Sequence, residues 1–140
     1  MHYVSQTPRL FNRTLWENIS YGNGKLQVEK VYALLQKLEL YDLESVFRKK
    51  MHHSVGKHGS ELSGGQRQIV LLMRALFNTD YRVLILDEPT SALDSHSRKQ
   101  VIALIQWISK QSTVIVITHD EKLANYMDRK VWIQDGVVHE

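Results

Sequence analysis

Cysteine is absent from the 140 residues of this chain, which excludes a disulfide framework and thiol chemistry. No apolar run approaches the roughly 18 residues that a membrane-spanning helix requires, and no secretory signal is visible at the N-terminus. No long block of like charges is present either, so we expect no nucleic-acid partner. These absences favour a soluble chain of the cytosol.

The composition is that of an ordinary globular domain. Hydrophobic residues make up 43% of the chain and charged residues 24%, and the formal net charge of +3 is scattered along it. Such fractions are typical of folded soluble proteins rather than of disordered or fibrous ones. Because 140 residues suffice for one modest core, we expect a single domain.

The residues after Leu62 predict a helix whose N-terminus is suited to an anion. Ser63 and Gln66 form a capping-box pattern, and apolar residues follow at helical spacing. These apolar residues are Ile69, Leu72, Met73 and Leu76. Gly64 and Gly65 are poor helix formers, but they let a ligand approach the free backbone N–H groups. An ordinary capped helix is the competing interpretation, since Ser-Gly-Gly is also a common turn sequence.

The unbroken apolar run from Val83 to Leu86 predicts a parallel strand buried on both faces. It ends at two carboxylates, Asp87 and Glu88, followed by Pro89. Ligands of open α/β sheets bind at the carboxyl ends of strands. There one carboxylate can hold Mg²⁺ and another can position a nucleophile. The competing interpretation is a solvated strand end that stops at proline.

A second buried strand is predicted over Thr113 to Thr118, after a helix from Ser95 to Lys110. Two apolar strands joined by a helix form a βαβ unit with parallel strands. The carboxyl ends of both strands then share one sheet edge. We therefore expect His119 to lie close to Asp87 and Glu88.

Local signals predict most of the remaining elements. One amphipathic helix is marked by Val28, Val31, Leu35 and Leu38. Asp42 is expected to cap a shorter helix after it, and Asp120 to cap another near the C-terminus. Asp135-Gly136 between two apolar runs is a strong hairpin signal.

Three stretches together resemble the nucleotide-binding domain of ABC transporters. Leu62–Gln66 matches the signature motif of that family, Val83–Asp87 its Walker B motif and Ser91–Asp94 its D-loop. The resemblance implies an α/β fold, with a partial RecA-like parallel sheet, an inserted α-helical subdomain and a C-terminal β-hairpin. It implies one partial ABC ATPase domain over residues 1–140. The Q-loop, helical subdomain and signature helix would occupy about 8–80 and the Walker B motif, D-loop, switch histidine and C-terminal strands about 81–140.

The resemblance also implies roles for particular residues. Glu88, His119 and Gln6 would be catalytic, contacting the attacking water and the terminal phosphate of ATP. Asp87 and Gln6 would bind Mg²⁺. The residues that would contact nucleotide at the interface with a second domain are Ser63, Gly64, Gly65, Gln66 and Asp94.

The partners implied are a second nucleotide-binding domain, in a head-to-tail dimer, and the transmembrane domain of an exporter. Leu10–Ile19 and Ser54–Gly59 are similar to exporter-type segments that contact this membrane domain. Lys57 and His58 depart from the acidic and arginine residues common there. The chain would then work peripherally on the cytoplasmic side of a membrane, with a cargo that the sequence leaves open.

A Walker A loop, Gly-x-x-x-x-Gly-Lys-Ser/Thr, whose amides and lysine cradle the phosphates of ATP, is absent. Gly59 and Gly64 have the right spacing, but Gly65 stands where lysine is required. The family's adenine-stacking aromatic residue is missing too. We therefore expect the chain to be an incomplete fragment of the family domain. We also expect it to hydrolyse little or no ATP on its own.

Two alternatives stay open. One is a non-enzymatic interaction protein that lends its signature motif to the ATP site of a partner. The other is a DNA-repair type of ABC ATPase, which shares the signature and Walker B motifs. The stretch between Gln6 and Leu62 has no room for the long coiled coil of that second class.

Overall fold

A parallel sheet of three strands lies at the centre of the computed structural model, which describes residues 2–5, 9–78 and 82–139. In sheet order, the strands are β1 (His2–Val4), β2 (Val83–Asp87) and β3 (Thr113–Ile117). Residues pair in register from Val83 with Thr113 to Asp87 with Ile117. The predicted parallel βαβ arrangement is therefore confirmed, and the ends of β2 and β3 lie side by side.

Helices and a C-terminal hairpin complete the architecture. The helices are α1 (Leu15–Ile19), α2 (Val28–Lys37), α3 (Tyr41–Lys50), α4 (Gly64–Phe77), α5 (Ser95–Ser109) and α6 (Glu121–Ala124), with a 3₁₀ turn at Lys57–Gly59. The antiparallel hairpin pairs β4 (Trp132–Gln134) with β5 (Val137–His139). This mixed α/β fold confirms the predicted class. No helix among the described residues is long and apolar enough to cross a membrane.

The hairpin turn forms where the sequence predicts it. Asp135 and Gly136 have φ angles of 51° and 78°. Positive φ at both central residues is the requirement of the tight turn that matches strand twist, and glycine and aspartate tolerate it best. Local turn chemistry thus accounts for this element.

Among the described residues, helices cover only one face of the sheet, so the prediction of strands buried on both faces is wrong. Leu84 and Leu86 of β2 are fully buried beneath the packed helices α4 and α5. On the opposite face, Ile115 and Ile117 of β3 are 47% and 52% exposed. Because alternate residues of a strand point to opposite faces, the described helices bury only every second side chain.

The prediction that Asp42 caps a helix is also wrong. Helix α3 begins at Tyr41, its N-cap is Leu40, and no side chain caps it by a hydrogen bond. Leu40 is buried and donates its N–H to the Leu35 carbonyl at 2.9 Å, which sets the start of the helix. Asp42 instead lies in the first turn, where a carboxylate still interacts favourably with the helix dipole.

A buried polar pair connects α1 to α4. Arg74 donates from Nε to the Asn18 carbonyl and from Nη2 to Asn18 Oδ1, each at 2.7 Å. The same Asn18 side chain accepts from the Phe11 N–H at 2.9 Å and donates to the Phe11 carbonyl at 3.0 Å. Burial lowers the pKa of Arg74, and the Phe11 ring lies 4.8 Å from its guanidinium carbon. Asn18 therefore supplies the acceptors that make this buried cation tolerable.

Replacement of Asn18 by alanine should lower the free energy of unfolding by about 2–3 kcal/mol, because the buried Arg74 Nη2 and the Phe11 N–H both lose Asn18 Oδ1 as their acceptor, while the backbone bond to Arg74 Nε remains. Urea denaturation measures this directly. Asn12→Ala is the matched control: Asn12 is exposed and accepts only a 3.5 Å contact from Ser54. Equal losses for the two variants would contradict the assignment.

Candidate functional site

Glu88 and His119 meet at the carboxyl edge of the sheet. Glu88 Oε1 lies 2.7 Å from His119 Nδ1 and accepts from the His119 N–H at 3.0 Å. Thr118 donates its hydroxyl to Glu88 Oε2 at 3.3 Å. His119 therefore lies beside Glu88, as the βαβ topology predicts, and both carboxylate oxygens have partners in the loop after β3.

An unusual backbone turn directs Glu88 toward that loop. Its φ is 47°, in the left-handed region that residues with a side chain rarely adopt. The Glu88 N–H donates to the Ile117 carbonyl at 2.8 Å, and the Ser91 N–H donates back to the Glu88 carbonyl at 3.1 Å. These bonds hold the turn. The Glu88 side chain is 16% exposed and that of His119 is 82% exposed, so the histidine offers the accessible surface of the pair.

Asp87 has a partner that the sequence analysis missed. The Tyr3 hydroxyl donates to Asp87 Oδ2 at 2.7 Å, and this hydrogen bond raises the pKa of Tyr3. Tyr3 pairs with Ile85 across β1 and β2, so it shares a sheet face with Asp87 two residues further on. The partnership becomes visible only once the register of the two strands is known.

The donor set at this edge fits Mg²⁺ held mainly by phosphate and water. No cluster of three or more metal-ligating side chains occurs in the ranges that the structure describes. Mg²⁺ commonly takes only one or two protein carboxylates and completes its shell with phosphate oxygens and water. Asp87 would be the carboxylate at this edge, with Oδ2 oriented by Tyr3. Gln6, the other predicted ligand, lies outside the described residues.

The N-terminus of α4 has the predicted capping box. Ser63 Oγ accepts from the Gln66 N–H at 3.2 Å, and Gln66 Oε1 accepts from the Ser63 N–H at 3.0 Å. Both side chains are thus used in starting the helix. The N–H groups of Gly64 and Gly65 precede the intrahelical ladder, where an external anion is a suitable acceptor.

Gly64 and Gly65 differ in the space available for a side chain. A Cβ on Gly65 would lie 2.4 Å from both Cβ and Oγ of Ser97, at the start of α5. A Cβ on Gly64 would meet nothing nearer than 3.8 Å, the Leu93 Cδ2 atom. Close packing of α4 on α5 therefore requires Gly65, whereas packing does not require Gly64.

Asp94, predicted to contact nucleotide, is the N-cap of α5. Its Oδ1 accepts from the N–H groups of His96 and Ser97 at 2.9 and 3.0 Å, and its Oδ2 from the Ser97 hydroxyl at 2.7 Å. The hydrogen bonds from Ser97, with a smaller one from His96, hold the pKa of Asp94 below its usual value. The sequence analysis did not predict this cap, although an aspartate just before a helical pattern is its usual signal.

A second set of polar contacts joins Thr90, just before the D-loop, and Arg98 of α5 to the loop after β3. Thr90 donates its hydroxyl to Asp120 Oδ2 at 3.0 Å, and Arg98 Nε lies 3.5 Å from the same oxygen. Asp120 also caps α6, as predicted, by accepting from the Lys122 N–H at 3.0 Å. Asp120 therefore connects the loop after β3 both to the loop after β2 and to α5.

An open cleft of about 870 Å³ separates the start of α4 from the loop after β2. Its basic wall is formed by Arg9, Lys57 and Arg67. Glu88, Ser91 and Gly64 also line it. The cleft brings together residues of the signature motif and of the D-loop, in a setting that favours an anion.

The comparisons with known proteins place this arrangement in a family. The sequence profile described as ABC transporter matches residues 1–91. The chain belongs to the ABC transporter family. It is 38% identical, over 98% of its length, to ATP-binding cassette sub-family B member 5 of Homo sapiens. It is 36% identical, over 99% of its length, to the ATP-dependent lipid A-core flippase of Ralstonia nicotianae.

A solved structure agrees with these relatives. The structure of a bacterial Atm1-family ABC exporter with ATP bound matches 99% of this chain with a TM-score of 0.78 and 27% identity. The chain spans 24% of that exporter chain, 24% of the flippase and 11% of the human relative. The family and the exporter-type resemblance are thus confirmed, for a chain that corresponds to a small part of each relative.

Exchange of Gly65 for alanine should lower the thermal unfolding midpoint, because the new methyl group collides with Ser97. Gly64→Ala is the matched control and should leave the midpoint nearly unchanged. Adding Ser97→Gly to Gly65→Ala should recover part of the loss, since it removes the colliding atoms. Equal midpoints for the two single variants would refute the packing argument.

The cap at Asp94 should make stability depend on pH. A carboxyl group whose pKa is lowered by folding stabilises the native state above its unfolded pKa, near 3.9, and loses this effect as pH falls through the folded pKa. The difference in unfolding midpoint between the wild type and Asp94→Asn should therefore be largest at neutral pH and shrink towards about pH 3. A difference that is constant with pH would show that the charge of Asp94 is unimportant.

Proposed function

We propose that the chain is part of the nucleotide-binding domain of an ABC exporter, which couples ATP hydrolysis to transport across a membrane. The observation that carries this proposal is the Glu88–His119 pair, joined at 2.7 Å at the carboxyl edge of a parallel sheet. Ligands of α/β sheets bind at this edge. The exporter relatives support the assignment, and the cargo stays open.

The roles proposed for the edge residues follow from their chemistry. Mg²⁺, when bound, supplies charge neutralisation for the transferred phosphoryl group. Asp87 would hold it, with Oδ2 fixed by Tyr3. Glu88 would orient the attacking water or accept its proton, and His119 would contact the terminal phosphate. Gln6 would contact both the metal and the water.

The proposed partner in catalysis is a second nucleotide-binding domain, arranged head to tail. The start of α4 supports a partner at this position for two reasons. Packing does not explain Gly64, and the positive end of the dipole of this 14-residue helix lies at Gly64. Ser63, Gly65, Gln66 and Asp94 would complete the contact with nucleotide held by the partner. The names of the exporter relatives support a transmembrane domain as the other partner, and hence a position on the cytoplasmic side of a membrane.

In this proposal, residues 1–140 form one partial domain. The Q-loop, helical subdomain and signature helix occupy about 8–80, and the Walker B motif, D-loop, switch histidine and C-terminal strands about 81–140. No phosphate-cradling loop of the Walker A type occurs in these 140 residues. We infer that the chain alone does not hydrolyse ATP.

Association with an intact ABC nucleotide-binding domain tests the half-site. We expect the 140-residue chain to bind such a domain only with ATP and Mg²⁺, measured by analytical ultracentrifugation. Gly64→Asp should weaken this association by about tenfold or more, because the new carboxylate repels the phosphates of ATP. The variant should still fold, since a carboxylate at a helix N-terminus interacts favourably with the helix dipole. Gly24→Asp is the matched control, since a Cβ on Gly24 has open space around it. Association that is independent of ATP, or equal in both variants, would contradict the proposal.

A second candidate function is a non-enzymatic half-site donor, favoured by an intact α4 N-terminus without a Walker A loop. The mixture of this chain with an intact domain separates the two candidates. ATP turnover that falls with Glu88→Gln in this chain would indicate an enzymatic contribution. ATP turnover that is unchanged by Glu88→Gln but falls with Gly64→Asp would indicate that the chain is a donor only.

A further inference from the structure

A groove at the far end of the helices from the Glu88 site has the character of a ligand site. It has a volume of about 440 Å³ and lies between α2, the end of α4 and the end of α5. Its apolar surface consists of Leu26, Ala33, Leu34, Leu76, Phe77 and Trp107. We call it the Trp107 groove. Small-molecule sites commonly have this size and an apolar lining with a few polar groups.

All charged side chains that line the Trp107 groove are lysines. They are Lys25, Lys30 and Lys37. A fourth lysine, Lys110, has its ammonium 5.6 Å from the centre of the Trp107 ring, and that of Lys37 lies 4.5 Å from the same ring. None of the four forms an ion pair with a carboxylate of the described residues. The rim therefore carries positive charge that the described part of the chain does not neutralise.

Helix dipoles account for only part of this charge. Lys37 is the last residue of α2 and Lys110 is the C-cap of α5, where cations interact favourably with the helix dipole. Lys30 is the third residue of α2, and a cation there is opposed by the same dipole. Lys25 precedes the helix. An anionic ligand would explain the two lysines that helix stabilisation does not.

We propose that the Trp107 groove binds a small amphiphilic anion, with an alkyl or aryl body against Trp107 and Leu34 and a carboxylate or phosphate between Lys30 and Lys37. Apolar area removed from water would supply most of the affinity, and the lysines would select the charge. The volume suits one monomeric ligand rather than a membrane surface. This inference is independent of the role proposed for Glu88 and His119.

The test uses sodium decanoate as the probe, titrated into the 140-residue chain by isothermal calorimetry below the concentration at which the probe forms micelles. We expect saturable binding that weakens as salt screens the lysines. Decyltrimethylammonium, with the same tail and opposite charge, and butanoate, with the same charge and a short tail, should each bind about tenfold more weakly or worse. Equal binding of the three probes would overturn the proposal.

Variants locate the site. Lys30→Glu with Lys37→Glu should weaken decanoate binding by about tenfold, because two favourable charges are reversed. Lys49→Glu with Lys99→Glu makes the same change of net charge at exposed positions elsewhere and should leave binding within about twofold of the wild type. Equal losses for the two pairs would overturn the assignment, and unfolding midpoints verify that each variant folds.

A membrane surface is the other source of the same ligand chemistry. Flotation with vesicles of phosphatidylglycerol and phosphatidylcholine, run beside the decanoate titration, distinguishes a membrane from a monomeric ligand. Binding to vesicles without binding of monomeric decanoate would overturn the proposal in favour of a membrane surface. If the double lysine variant does not fold, the comparison of the three probes with the wild-type chain still decides the outcome.

Discussion

The close approach of α4 and α5 is the constraint on which the rest of the structure depends. These helices meet so tightly at their N-termini that Gly65 has no room for a Cβ beside Ser97. Helix α4 begins at this contact, where Ser63 and Gln66 cap it. Helix α5 begins beside it, at the Asp94 cap. The signature motif and the D-loop are thereby held as neighbours by packing, before any ligand contributes.

The same helix pair decides which face of the sheet is buried. Leu84 and Leu86 lie beneath it, whereas Ile115 and Ile117 on the opposite face stay accessible. Burial of apolar surface is the main stabilising contribution in folding, so this one-sided sheet gains less from it than a sheet covered twice. Asp87 belongs to the accessible face. The Asp87 carboxylate of the proposed site therefore lies on the less covered face of the sheet.

Glu88 shows how local strain and topology together make a site. The parallel pairing of β2 and β3 brings His119 to the right edge, but the left-handed turn at Glu88 is what aims the carboxylate at it. Strained backbone that persists is held by its surroundings, here by bonds to Ile117 and Ser91. The hydrogen bond from Thr90 to Asp120 adds a second connection between the loops after β2 and β3.

The sequence by itself determined helices α2 to α6, the parallel strand pair, the hairpin turn and the α4 capping box, because periodicity, capping and turn chemistry act between residues close in the chain. It also predicted that His119 lies at the same sheet edge as Glu88, since the strands of a βαβ unit are parallel and their carboxyl ends share one edge. It did not predict α1 or β1. Tertiary structure alone decided the Tyr3–Asp87 bond and the Asn18–Arg74 pair. Those partners are far apart in sequence, and strand register and helix approach, which no local pattern encodes, bring them together.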